Sequence, residues 1–499
     1  MISNVALMLL GAMFASTPCA GLKSVSLPNT TVTLAESVPA GQFTPPGGGG
    51  QRGGQPASLN VPAFCRVAAI LKPVSDSEIE MEVWMPENWN GKFQFVGGGG
   101  WAGIISYPAM ANALLEGYAT ASTDTGHKGG NASFAIGHPE KVVDFAYRAV
   151  HESTVKAKAF IKSFYDRDPR LSYWNGCSTG GRQGLMSAQR YPEDFDAVLA
   201  GAPANYQTHL HTWDLSVSIP VVKDPAAAVS MEKLTFLNKA VIAACDARDG
   251  VKDGLLNDPR TCKFDPATLL CKAADSASCL TAPQLESVKR MYSPAKTKTG
   301  EAVFPGKDFG SETGWNAISG GQAPSGLPLG SFQAAYDNLQ WDWRNFDLDR
   351  DMKFVDEKIG FINAINPDLS AFKARGGKLI LYHGWNDTAI SPGNAVNYYT
   401  SVLSKMGAKQ DNWIRLFMAP GMAHCQGGPG PNQVHFMGAL ERWRESGIAP
   451  DQITAYHVTN NRVDMARPLC PYPQAAQYKG VGSTNDAANF VCKAPDIGK

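Results

Sequence analysis

Residues 171 to 192, LSYWNGCSTGGRQGLMSAQRYP, carry the pattern from which the fold is read. Leu171 to Asn175 is a short apolar and aromatic run, the composition of a buried strand. Arg182 to Arg190 carries Leu185, Met186 and Ala188 at helical spacings and stops before Pro192. Between them lies Gly176-Cys177-Ser178-Thr179-Gly180, and strand, G-x-S-x-G, helix is the context that a nucleophile elbow requires. The serine of such an elbow sits on a sharp, strained turn, and side chains at the glycines would crowd the adjoining strand and helix. Ser178 is therefore the candidate nucleophile. The competing interpretation is a glycine-rich β-to-α turn with an ordinary serine.

Working outward, the first 200 residues alternate strand and helix as a parallel sheet demands. Strands are expected at 64–70, 78–85, 93–96, 118–122 and 195–201, and helices at 109–117 and 142–165. The second strand alternates Ile79, Met81 and Val83 with Glu78, Glu80 and Glu82. Phe93 to Val96 runs straight into Gly97-Gly98-Gly99-Gly100-Trp101, where backbone N–H groups can approach a ligand unobstructed. In α/β-hydrolases the loop after the third strand supplies one oxyanion donor, and the residue after the nucleophile supplies the other. Here those are Gly98 or Gly99, and Thr179.

From about residue 205 the alternation breaks into a block rich in Gly, Pro, Ser and Trp, with helices near 231–245 and 282–292. It resumes with a strand at 378–384, a helix near 393–406, a strand at 414–418 and a helix near 432–446. The fold class is thus α/β, an α/β-hydrolase fold with a large inserted lid domain. Residues 17–204 and 373–499 form the catalytic domain, and 205–372 the lid.

A serine nucleophile needs a base, and the base an acid to orient it. The hydrolase chain order is Ser, then Asp or Glu, then His. Asp387 follows the strand ending Tyr382-His383-Gly384, and His424 lies in Pro420-Gly421-Met422-Ala423-His424-Cys425, after the next strand. His383 precedes the acid and lies within its strand, so it is read as structural. Cys177 directly precedes the nucleophile and Cys425 directly follows the base, so a hydrogen-bonded Ser178 and His424 would bring the two sulfurs within bonding geometry.

Lys plus Arg and Asp plus Glu each number 45. That balance leaves no electrostatic footprint for nucleic acid or an anionic membrane. Val5 to Phe14 is an apolar run of signal-peptide length, too short to span a bilayer, with small residues after it. Residues 1–16 are read as a leader cleaved near Ala15 or Ser16, although no Lys or Arg precedes the run. Ten cysteines without a C-x-x-C pair argue for disulfides in a secreted or periplasmic protein. Inside the lid, Cys245-Asp-Ala-Arg-Asp-Gly-Val-Lys-Asp-Gly-Leu255 sets three aspartates among glycines. Asp246, Asp249 and Asp253, with the carbonyls of Val251 and Leu255, suit a structural Ca²⁺. Cys245 and Cys262 are placed to clasp that loop.

With these motifs in view, the chain resembles the tannase/feruloyl esterase family, which includes feruloyl esterases, tannases and mono(2-hydroxyethyl) terephthalate hydrolases. The resemblance runs from about residue 60 to the C-terminus, and the cysteines flanking Ser178 and His424 are its hallmark. It implies a Ser178, Asp387, His424 triad, a Cys177–Cys425 bridge and the calcium ligands just named. It also implies the pairs Cys19–Cys65, Cys245–Cys262, Cys271–Cys279 and Cys470–Cys492. The expected activity is hydrolysis of small aromatic esters without an organic cofactor, with a feruloyl (hydroxycinnamoyl) ester first, a galloyl ester second and a terephthalate monoester third. The lid's Trp213, Trp315, Trp341, Trp343 and Tyr336 are candidates for an aromatic acyl pocket. A reading from another class is a catalytically silent, disulfide-braced protein that binds polyphenols or carbohydrate.

Overall fold

The computed structural model describes residues 16–46 and 58–495. The expected leader, apart from Ser16, and the glycine-rich loop 47–54 lie outside the described residues.

Nine strands form the central sheet: β1 (Thr30–Val38), β2 (Phe64–Leu71), β3 (Ile79–Pro86), β4 (Lys92–Val96), β5 (Ala119–Thr123), β6 (Leu171–Cys177), β7 (Ala197–Gly201), β8 (Lys378–Gly384) and β9 (Ile414–Ala419). Their spatial order is β1-β2-β3-β5-β4-β6-β7-β8-β9. The pairings from β1 through β3 to β5 are antiparallel, and all those from β5 to β9 are parallel. Strands β7 and β9 are buried at every residue, as expected for parallel strands covered on both faces. This is the α/β-hydrolase arrangement read from the sequence.

The chain steps from β4 to β5 on one side, then returns to set β6 on the other side of β4. That reversal opens a crevice beyond the carboxyl ends of β4 and β6, the place where open α/β sheets bind ligands. Val96 pairs with Asn175, so the glycine run after β4 and the elbow after β6 emerge side by side.

Three local details depart from the sequence expectation. The first is Glu82, whose period-two position put it on the polar face but which is buried. Its carboxylate accepts from Arg66 Nε and Nη2 at 2.9 and 2.6 Å, Trp84 Nε1 at 2.8 Å and the Tyr107 hydroxyl at 2.9 Å. A buried carboxylate is tolerated because its lone pairs are filled. The second is the helix expected at 142–165, which begins as Pro139–Val143, passes through a π-turn at Asp144–Arg148 and continues as Ala149–Tyr165. A π-turn alters the carbonyl partners of a helix, and here the carbonyls of Phe145 and Ala146 accept from the buried Arg182 guanidinium at 3.2 and 3.1 Å. The third is the helix near 432–446, which starts at Phe436. Gln433–Val434 instead joins Ile453–Thr459 and Arg462–Leu469 in a small antiparallel sheet.

The insert leaves the sheet after β7 and returns at β8, two strands paired directly, Lys378 with Ala197 through Tyr382 with Gly201. It carries its own apolar core, with Trp213, Leu234, Leu237, Val288, Met291, Phe304 and Trp315 among its members. A second cluster, including Trp101, Phe145, Leu215, Phe332 and Val355, packs the insert against the loop after β4 and the helical segment around Phe145.

Candidate active site

Ser178 stands between β6 and the helix Thr179–Arg190 with φ 64° and ψ −123°. That left-handed backbone is strained for a residue with a side chain, by about 1–3 kcal/mol. Neighbours hold it in place: its N–H donates to Gly201 O at 3.0 Å, and its carbonyl accepts from Arg182 N and Ala204 N, both at 3.1 Å. The glycine requirement is steric. A Cβ on Gly176 would meet the Gly180 backbone at 2.7 Å, and one on Gly180 would meet Gly98 O at 3.0 Å.

Asp387 follows β8 and is fully buried. Its Oδ1 accepts from the N–H groups of Ala389 and Ile390 at 2.8 and 2.9 Å. Its Oδ2 accepts from His424 Nδ1 at 2.8 Å and from His383 Nε2 at 3.0 Å. Burial opposes the charge, but His424 and His383 together hold the carboxyl well below the usual carboxylate range. His383 Nε2 also faces Ile390 O at 3.1 Å, and with two acceptors that nitrogen carries the proton. His383 is thus a second histidine on the acid, a contact that its place inside the strand concealed. With Nδ1 of His424 committed to Asp387, its Nε2 is left for the cavity.

The cavity encloses about 1380 Å³ and is lined by Ser178, Thr179 and His424 among others. Among the described residues no hydrogen bond joins Ser178 to His424; such bonds are often long without substrate and tighten when it binds. The Cys177–Cys425 disulfide, with Cα atoms 6.0 Å apart, ties the elbow to the histidine loop across 248 residues. The other four expected pairs are also bonded.

The two glycine candidates differ. Gly98 donates its N–H to Gln183 Oε1 at 3.1 Å, whereas the N–H groups of Gly99 and Thr179 have no partner among the described residues. Thr179 Oγ1 donates to Gly100 O at 2.9 Å, which fastens the glycine loop to the elbow. Of the alternatives Gly98 and Gly99, Gly98 is already spoken for.

The aromatic pocket expected from the lid is a correction. None of Trp213, Trp315, Trp341, Trp343 or Tyr336 lines the cavity. Trp213 and Trp315 are fully buried in the insert's own core, their indole N–H groups donating to Ser293 O and Ser311 Oγ. Trp341 stacks on Phe332, and Tyr336 on Phe354. An insert of this size needs a core of its own, and large aromatics supply most of its buried area. The apolar wall of the cavity comes instead from residues such as Trp101, Leu210, Ile318 and Leu327.

In the acidic loop, Asp246 accepts from the N–H groups of Asp253 and Gly254, Asp249 from Val251, and Asp253 from Leu255. Asp253 also pairs with Arg467. Burial, reinforced by Asp253 and Asp246, pushes the Asp249 carboxyl up to about 6. Three carboxylates gathered in one short loop are the hard oxygen donors that a divalent cation such as Ca²⁺ takes. Among the described residues, the set of potential metal-ligating side chains that draws within 4.8 Å is a different one, Cys271, Asp275 and Cys279. Its two cysteines are bonded to each other.

The chain matches the family model described as tannase and feruloyl esterase over residues 65–493. It is 39% identical to an uncharacterized esterase of Xanthomonas campestris, over 97% of this chain and 92% of that protein. It is 33% identical to probable feruloyl esterase B-2 of Aspergillus oryzae, over 95% of each. The crystal structure of feruloyl esterase B from Aspergillus oryzae superposes with a TM-score of 0.91 at 32% identity, covering 95% of this chain and 99% of that one. In sequence and in fold alike, the chain belongs to the tannase and feruloyl esterase family of carboxylic ester hydrolases.

Proposed function

We propose that the protein is a secreted or periplasmic serine esterase acting on hydroxycinnamoyl esters through Ser178, His424 and Asp387. The observation that carries the triad is the 2.8 Å bond from His424 Nδ1 to a fully buried Asp387, beside a serine in a strained elbow on the same cavity. Ser178 Oγ attacks the ester carbonyl and passes its proton to His424 Nε2, while Asp387 holds the imidazolium. The N–H groups of Gly99 and Thr179 stabilise the oxyanion, each such donor contributing about 3 kcal/mol. His424 then protonates the leaving alcohol, and water releases the acyl group by the reverse route.

Export is supported by five disulfides, which persist in oxidising compartments. Among the described residues, no helix is long and apolar enough to cross a membrane.

The substrate assignment draws on the cavity wall. Among the described residues no Arg or Lys lines it, so no fixed positive charge there pairs with the free carboxylate of a terephthalate monoester. A side-by-side comparison of kcat/KM on methyl ferulate, methyl gallate and mono(2-hydroxyethyl) terephthalate tests this reading. Methyl ferulate is expected to lead and the terephthalate monoester to trail by at least tenfold; the reverse order would overturn the assignment.

The same proposal includes one structural Ca²⁺ held by Asp246, Asp249 and Asp253 with the carbonyls of Val251 and Leu255. When bound, the cation neutralises the loop's carboxylates. Metal analysis after dialysis is expected to find one calcium per chain. Stripping it should remove about 2–3 kcal/mol of stability relative to a hundredfold excess over Kd. A metal-free protein with an unchanged Tm refutes the site.

A further inference from the structure

The helix Gln207–Lys223 begins beside the nucleophile, with Ala204 N donating to Ser178 O, and runs on along the cavity wall. Gln207, His211, Asp214 and Ser218 all line the cavity. Their spacing of four, three and four places them on one helical face. Leu210 is the apolar neighbour on that face. A polar stripe turned into a cavity between two packed domains is unusual, because buried polar groups normally find partners.

Two of these groups, Gln207 and Asp214, are without partners, whereas the Ser218 hydroxyl donates to Asp214 O at 2.8 Å. Asp214 is 8% exposed, and its carboxyl accepts no hydrogen bond from any described residue, with Oδ1 fully enclosed. Gln207 is 3% exposed, and its Oε1 is likewise enclosed and unpartnered. His211 is held by a 2.8 Å contact between Nδ1 and Ser331 Oγ, and burial keeps its ring neutral, down to about 3. Among the described residues Asp214 is the one acidic or basic side chain lining the cavity, histidines aside. Burial pushes its carboxyl up to about 7 against the opposing field of Lys307. Lys307 Nζ lies 4.7 Å over the ring of Trp213, the residue before Asp214. Either protonation state of Asp214 keeps an acceptor oxygen for a hydroxyl.

We infer that this stripe, with Asp214 at its centre, is a hydroxyl-reading subsite that accepts a hydrogen bond from a hydroxyl group of the ester substrate. The inference rests on the esterase reading above and adds to it the group that selects among esters. From Gln207 to Asp214 the helix rises about 10 Å, a reach comparable to that from the carbonyl of a hydroxycinnamoyl group to its ring hydroxyl. A site built to bond a hydroxyl discriminates against the analogue that lacks it, because its own polar groups are then left unpaired.

Two substrate pairs test it and separate the two ends of the ester. Methyl 4-hydroxycinnamate against methyl cinnamate reports a hydroxyl on the acyl ring; 2-hydroxyethyl cinnamate against ethyl cinnamate reports one on the alcohol. The wild type is expected to prefer the hydroxylated member of one pair by about 10–100-fold in kcat/KM. Asp214→Ala should collapse that ratio towards unity, and Asp214→Asn, which keeps an acceptor oxygen, should retain part of it. Most of the loss should fall in KM. A wild type without preference in either pair overturns the subsite, as does a ratio that survives in Asp214→Ala while both rates fall together. A wild type that cleaves 4-nitrophenyl acetate but none of the four cinnamates instead overturns the hydroxycinnamoyl reading on which the inference rests.

Discussion

Replacing Ser178 with Ala is expected to lower kcat on methyl ferulate, methyl gallate and 4-nitrophenyl esters alike by about 10⁵–10⁶-fold. The size follows from the role: a triad works as a unit, and removing its nucleophile forfeits nearly all of the unit's contribution. What remains is the oxyanion hole and substrate binding, which leave about 10³–10⁴-fold over the uncatalysed rate. The backbone should stay put, since Ser178 N and O are bonded to Gly201, Arg182 and Ala204 whatever the side chain. The variant's Tm should accordingly match the wild type within about 1–2 °C, as a change below 0.5 kcal/mol gives. A fluorophosphonate probe should label the wild type at Ser178 and leave the variant unlabelled. Substantial residual turnover would sink the triad, and an unlabelled wild type would favour a binding protein.

Replacing Cys177 and Cys425 together with Ala is expected to remove about 3–5 kcal/mol of stability and to lower kcat as well. The bridge spans 248 residues, and cross-links that close long loops restrict the unfolded chain most. The effect on kcat has a separate origin. Cys425 sits at φ 65°, a left-handed backbone held directly beside His424, and the bridge is the covalent tie between that loop and the elbow. Misplacing a catalytic group by 1 Å lowers rates by about a hundredfold. The control is the Cys245–Cys262 bridge, which spans 17 residues in the insert; its removal should lower Tm with little change in kcat. A Cys177/Cys425 variant with wild-type kcat would show that packing alone positions the histidine.

Much of the fold was legible because its signals are local. The mainly apolar runs of β7, β8 and β9, the helical spacing after the elbow and the glycines around Ser178 each follow from neighbours a few residues apart. The order Ser, Asp, His then selected Asp387 and His424 from many candidates, and the cysteines beside Ser178 and His424 supported that choice. The failures share one cause. Glu82 was put on the polar face by its period, and only the arrival of Arg66, Trp84 and Tyr107 made its burial tolerable. Composition offers the lid tryptophans to the substrate, yet Trp213 and Trp315 are consumed in the insert's own core and Trp341 and Trp343 pack against the second cluster.

The donors of the site divide in the same way. That one of two adjacent glycines keeps its N–H while the other gives it to Gln183 depends on a helix some 85 positions away in the chain. The unpartnered carboxyl of Asp214 depends on what the main sheet and the insert leave uncovered between them. The sequence by itself determined the strand order's raw material, the nucleophile's turn and the pairing of cysteines about it, because backbone sterics and hydrophobic periodicity act over a few residues. Which polar atoms are satisfied and which are left to meet a substrate was decided by tertiary structure alone, because a hydrogen-bond partner can come from anywhere in the chain.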